Sequence, residues 1–410
     1  MQTTESDQGD ARYGWVMVFV GFTLTGMSFG GLGSVGVFLK PIAADLHWSR
    51  GGTAFGYTAA AMGSAIFIVL WGFLADRNPT RRFAIMGAAA IGVTMILLSW
   101  TTTHLYFYFI FFIFGAFGHA PFVGSLWANI GQWFTHNKGT AMGVALAGGA
   151  VGQAVVPFSA RLLISSHGWQ TAFLVIGAVY LVLGLTIAFL TRDPPGKRAY
   201  LASLHENKET TGSWSLGEGR YTVIWMSVAV VFCCFCMAVA IVHVVPMLSD
   251  RGHSPEVAAG ALAALMLAGA FGRMGAGKIS DLIGPLQTYI ATSAGQTILV
   301  VWLPHVETVF GIYLLAALFG FVFSGVMTSM VVTVNTFVPD QVAARCWSVV
   351  AFFAWAGMGL GSYVGGALFD LTGGYDWSFT FAGVMGAINV VILLSFHISR
   401  GRREPVHAAA

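Results

Sequence analysis

Twelve apolar stretches, most of them free of any charged side chain, follow one another along this chain and leave few folds open to it. They lie near residues 14–39, 52–75, 83–101, 105–129, 140–164, 171–191, 221–248, 256–277, 288–304, 308–334, 346–370 and 378–398. A helix rises 1.5 Å per residue, so about 20 apolar residues cross a bilayer core. In lipid each crossing segment must satisfy its own backbone polar groups, which helices do. The expected fold is therefore all-α and membrane-embedded, with twelve transmembrane helices. Composition agrees: only 9% of the 410 residues are charged, where soluble chains carry roughly 25%. The 52 glycines sit largely inside the apolar runs, as expected where helix backbones pack closely in lipid.

Charge sets the orientation. The N-terminal residues up to Ala11 include Glu5, Asp7 and Asp10 but no basic residue, unlike the positive start of a cleaved signal peptide, so the first run is expected to remain as a helix. With both termini cytoplasmic, 15 of the 20 Lys and Arg fall inside, against Lys40, Arg50 and Arg251 outside. The positive-inside rule selects that arrangement, in a bacterial inner membrane. The other two, Arg161 and Arg273, lie within spans.

The polar stretch 192–220 falls near the middle and reads as a cytoplasmic linker between six-helix halves, 1–191 and 221–410. The halves echo each other. Gly72-x-x-x-Asp76 recurs as Gly277-x-x-x-Asp281 at an offset of 205, and Trp169-x-x-x-Phe173 as Trp377-x-x-x-Phe381 at 208. Half the chain length is 205. A duplication of the kind found in transporters built from parallel repeats is expected.

Gly72-Phe-Leu-Ala-Asp76-Arg77-Asn-Pro-Thr-Arg81-Arg82 resembles the signature that the major facilitator superfamily carries between helices 2 and 3. Tyr13-Gly14-Trp15, Trp133-Phe134 with Lys138-Gly139, and Gly272-Arg273-x-x-x-Gly277-x-x-Ser280-Asp281 are similar to the monocarboxylate and oxalate-formate branch. The resemblance implies a twelve-helix transporter that alternates access to a midplane site. Gly33 stands where animal monocarboxylate carriers have a helix-1 lysine, and Gly269 where they have an aspartate before the helix-8 arginine, so their proton route does not transfer whole. The run 346–370 also lacks the second cation of the oxalate exchanger, which favours a monoanion over a dicarboxylate.

Arg273 is the first candidate for solute binding, since an ionised guanidinium within a span costs at least about 2.5–3.5 kcal/mol and calls for an anionic partner. A planar guanidinium can grip a carboxylate through two parallel hydrogen bonds. Snorkelling to the membrane surface is the plainer alternative. His119 and His243, the histidines well inside spans, are candidates to exchange a proton, and either can equally be a hydrogen-bonded structural residue. Gln153, Phe29, Phe323, Trp355 and Tyr363 are candidates to line the cavity. Asn129 and Gln296 are expected more as polar glue. Asp76, with Arg77, Arg81, Arg82 and Asp281, is expected to form gates. At the C-terminal end of its own helix Asp76 opposes the dipole, and needs compensation from those arginines or from the N-terminus of a helix of the other half.

The reading is a secondary transporter of a small organic anion, either proton-coupled or exchanging. The alternative is an exporter of a drug-like or neutral solute, to which Gly148-x-x-x-Gly152 points, although Gln153 stands where drug exporters have proline. No metal-spaced His/Cys set, nucleophile elbow or phosphate loop is present, so no enzyme, cofactor or metal is expected. The net charge of +3 is spread over loops and implies no nucleic-acid partner. A monomer in the bilayer is expected.

Overall fold

The computed structural model describes residues 5–48, 50–206 and 216–401, and within them there is helix but no strand. Residues 207–215 of the polar stretch, and the tail that carries Arg402 and Arg403, lie outside them. The helices are α1 (Glu5–Asp45), α2 (Arg50–Ala75), α3 (Thr80–Leu98), α4 (His104–Gly131), α5 (138–167) and α6 (169–188). They continue as α7 (Pro195–Glu206), α8 (Arg220–Asp250), α9 (Pro255–Ile283), α10 (Pro285–Trp302), α11 (Val309–Phe337), α12 (Ala343–Thr372) and α13 (Asp376–Gly401).

Among the described residues, ten helical segments are long and apolar enough to cross a membrane. One of them, Lys138–Ala188, is really two, because Gly168 at φ 81 and ψ 167 breaks the α conformation between α5 and α6. With α10, whose 18 residues are interrupted by threonine and glutamine, the spans are twelve. In α10 Thr288, Thr292 and Thr297 each donate to the carbonyl four residues back, which hides their polarity inside the helix. Large apolar side chains such as Phe158, Val182, Phe271 and Leu282 are left exposed, which suits a chain embedded in lipid.

Backbone geometry repeats with the same period as the sequence. The starts of α2, α3, α4 and α5 at Arg50, Thr80, His104 and Lys138 recur 205 residues later, at Pro255, Pro285, Val309 and Ala343. Left-handed residues recur likewise: His47 (φ 54) matches Gly252 (φ 82), and Gly168 (φ 81) matches Gly373 (φ 72).

The chain forms two compact units: unit 1 is residues 1–217 with 338–349, and unit 2 is 218–337 with 350–410. Inside each, helices meet backbone to backbone at glycine. A Cβ on Gly148 or Gly152 of α5 would strike the main chain of Phe22 or Gly26 on α1. On Gly272 or Gly320, it would strike Phe321 of α11 or Leu265 of α9. The Gly148-x-x-x-Gly152 motif thus has a packing role against α1. Gly152→Leu should lower stability by about 1–3 kcal/mol through overpacking, seen as an earlier unfolding midpoint of the purified protein in detergent. An unchanged midpoint would refute the contact.

Candidate functional site

At the end of α2 in unit 1, Asp76 is 4% exposed. Its Oδ1 accepts the Ala344 N–H at 3.1 Å and its Oδ2 the Arg345 N–H at 3.2 Å, the first amides of α12. The Arg345 guanidinium Nε adds a third donor at 2.6 Å. A helix N-terminus is a natural seat for a carboxylate. Gly72 permits the approach, because a Cβ there would collide with Ser348 and lie 2.7 Å from the Ala344 carbonyl. Burial pushes the Asp76 carboxyl up to about 6, against the pull of Arg345. The segment 338–349 is also held by Gln132 Nε2, which donates to Asp340 O at 2.7 Å, and by Trp347 Nε1, which donates to Val123 O at 2.8 Å.

Of the arginines named beside Asp76, Arg81 lies over the Phe189 ring at 5.4 Å and Arg82 reaches Asn78. Arg77 is half-buried in the turn itself. The charges that act on Asp76 are Arg345 and, more distantly, Lys197. Lys197 belongs to α7, the part of the linker described here, and its side chain is 9% exposed. It pairs with Asp193 at 3.3 Å and donates to Thr80 Oγ1 at 2.8 Å. Burial pulls the Lys197 ammonium below the usual lysine value, opposed by Asp193 and Asp76. Asp193 accepts the Thr80 N–H at the start of α3, the Thr80 hydroxyl at 2.6 Å, and Asn129 Nδ2 of α4 at 3.0 Å. Asn129 is therefore structural glue.

In unit 1, α1 and α4 bring two of the predicted cavity residues together, Phe29 and His119. His119 Nδ1 is hydrogen-bonded to Ser28 Oγ at 2.6 Å, and its ring meets Phe29 edge-on at 4.6 Å. Phe29 lies parallel to Trp127 at 6.2 Å, and Trp127 Nε1 donates to Thr25 Oγ1 at 3.1 Å. Gln153 faces Gly33, four residues along α1 from Phe29. Around His119 the helix is wound as a π-helix over Phe114–His119 and again over Phe122–Leu126, the kind of irregularity that gathers at functional sites. Ser28, Thr25, Trp127 and Trp347 were not anticipated. Trp347 at least carries a sequence sign, a large aromatic in the first turn of a span.

Unit 2 holds the other candidates, spread along four helices. Arg273 lies on the stripe Leu265, Gly269, Arg273, Ala276, Ser280 that α9 buries, and is 6% exposed, whereas Phe271 and Met274 beside it point outward. Phe323 on α11 is buried and stacked on Phe319. His243 Nε2 donates to the Ser362 carbonyl of α12 at 2.9 Å, and its ring fills the space over Gly365. On α12, Trp355 is half-buried and Tyr363 exposed. Asp281 lies half-buried in the last turn of α9. Gln296 donates to Cys233 O and ties α10 to α8.

Two distant motifs also meet: Gly14 packs on Phe134, Tyr13 and Trp133 rings are 5.7 Å apart, and Trp15 lies edge-on to Phe134 at 5.4 Å. A twelve-span bundle built from a 205-residue repeat, with a carboxylate at the end of its second helix capping the eleventh, is the architecture of a membrane transporter. The family model of the Major Facilitator Superfamily matches residues 18–361, and the chain belongs to that superfamily. Monocarboxylate transporter 13 of Rattus norvegicus is 26% identical over 415 residues, covering 95% of this chain and 91% of that one. The uncharacterized MFS-type transporter YcxA of Bacillus subtilis (strain 168) is 24% identical over 391 residues, covering 90% and 92%. Among solved structures, the proton:xylose symporter XylE aligns with a TM-score of 0.75 at 13% identity, covering 94% of this chain and 96% of that one. The E. coli fucose:proton symporter FucP aligns at 0.72 with 14% identity, covering 92% and 98%. At those identities the structures bear on the fold alone.

Proposed function

We propose that this chain is a secondary active transporter of a small organic anion, with a monocarboxylate as its solute class, working by alternating access between its halves. The observation that carries the reading is Arg273, a guanidinium on the buried stripe of a spanning helix, where charge is costly and an anionic solute can offset it. The names of several relatives at about this identity support the solute class. The Gly148-x-x-x-Gly152 motif, which points to the alternative of a drug exporter, packs against α1. In this reading Asp76 and Arg345 latch the cytoplasmic end, both termini face the cytoplasm of a bacterial inner membrane, and no covalent chemistry takes place.

His119, hydrogen-bonded to Ser28, is the favoured proton site and His243 the second. A monoanion crossing with one proton leaves no net charge to move through lipid. The test is uptake of labelled carboxylates into proteoliposomes: an inward pH gradient should drive accumulation, His119→Ala should weaken that drive several-fold, and counterflow should exceed net flux. Transport that answers to membrane potential alone, with His119→Ala and His243→Ala both fully active, would replace this reading with a uniporter or anion exchanger.

A further inference from the structure

Each π turn of α4 skips one carbonyl. In an α-helix the Ala120 N–H would serve Ala116 O, but here it bonds Gly115 O. In the same way the Trp127 N–H bonds Phe122 O and passes over Val123 O. A skipped carbonyl inside a bilayer needs another donor, because no water is there to supply one. Both receive an indole. Trp71 Nε1 donates to Ala116 O at 2.6 Å, and Trp347 Nε1 donates to Val123 O at 2.8 Å.

The two indoles differ in their anchorage. Trp71 stands on α2, which packs along α4 through Gly63 and Gly115. Trp347 belongs to 338–349, a segment that follows more than a hundred residues of unit 2 and is fastened to unit 1 by Asp76, Gln132 and its own side chain. The second π turn therefore takes its donor from that segment. It also lies between His119 and Trp127, the two rings that flank Phe29.

We infer that Trp347 is a positioning residue for the His119–Ser28 pair, acting through the Val123 carbonyl. While its N–H caps that carbonyl, the second π turn is stable and His119 and Trp127 both face Phe29. When 338–349 leaves unit 1, the carbonyl takes back a main-chain N–H and the turn reverts to α winding. One flank of α4 then shifts by a residue, a rotation of about 100° with a rise of about 1.5 Å. His119 and Trp127 can no longer face Phe29 together. The arrangement of the solute-facing side chains thereby follows the state of the distant latch. The role in transport rests on reading His119 as part of the solute site, whereas the rewinding of α4 does not.

The test compares Trp347→Phe, which keeps a ring against Trp127 but has no N–H, with Trp347→His, whose ring N–H can face the same carbonyl. Full-length protein in nanodiscs is followed by backbone hydrogen exchange. Trp347→Phe should speed exchange of the amides of residues 122–128 at least tenfold, leave those of 104–112 at wild-type protection, and flatten the pH dependence of lactate counterflow. Trp347→His should restore both. Wild-type protection of 122–128 in Trp347→Phe would overturn the inference, as would equal loss in both variants. If exchange responds as expected while His119→Ala leaves the pH profile untouched, the positioning of α4 stands and the assignment of His119 to the solute site falls.

Discussion

Arg345→Met is expected to release residues 338–349 from unit 1. The substitution keeps most of the side-chain volume but leaves the Asp76 carboxylate buried with only two backbone amides. Breaking one side of a buried ion pair costs roughly 3–5 kcal/mol, which moves a two-state population by about two to three and a half orders of magnitude. Asp76→Leu should act in the same direction, since it removes the carboxylate that accepts from the guanidinium and from the first turn of α12. The double variant Asp76→Leu/Arg345→Met should recover much of the docking, because an apolar pair of similar volume replaces a buried ion pair at little cost. Spin labels on the exposed positions Arg82 and Gln341 would report the separation directly. Two single variants with the wild-type distance distribution would show that the pair does not hold the segment.

Arg273→Lys is expected to weaken carboxylate binding by about ten- to a hundredfold while the protein keeps its fold. Lysine preserves the charge, so the loss measures the planar fork and its second hydrogen bond rather than electrostatic attraction at large. Helix α9 can accept the shorter side chain, because the neighbours of Arg273 along its buried stripe are small: Gly269, Ala276 and Ser280. The measurement is the half-saturation for counterflow of the best carboxylate, alongside the unfolding midpoint of the same preparation. Unchanged half-saturation would take Arg273 out of the site.

The spans were legible because apolar length is a property of consecutive residues, and the repeat because its landmarks keep their spacing. Span α10 reads less clearly: its threonines and Gln296 lower its apolar character, and only the three-dimensional packing shows where they bond. The need of Asp76 for compensation could be reasoned from its place at a helix end. Its partner could not, since Arg345 stands 269 residues away and nothing local joins the two. A sequence does not display the extra residue of a π turn, nor which indole will answer the carbonyl it frees. Similarly, Lys197 follows Asp193 at the spacing of a helical ion pair, but its burial against Thr80 depends on α3 and α4 arriving beside it.

That burial bears on what counts as a transplantable module. A gene segment ending after residue 191, where the sixth span stops, would leave behind the carboxylate that seats the first turn of α3 and the ammonium beside it. The Thr80 N–H and hydroxyl would then lose the acceptor they share. A segment ending after Glu206 carries both groups with it. Recombination between related carriers, whether natural or engineered, should accordingly yield working chimaeras more often from crossovers beyond residue 206 than from crossovers at the membrane boundary, so the inheritable N-terminal piece is longer than its lipid-embedded part.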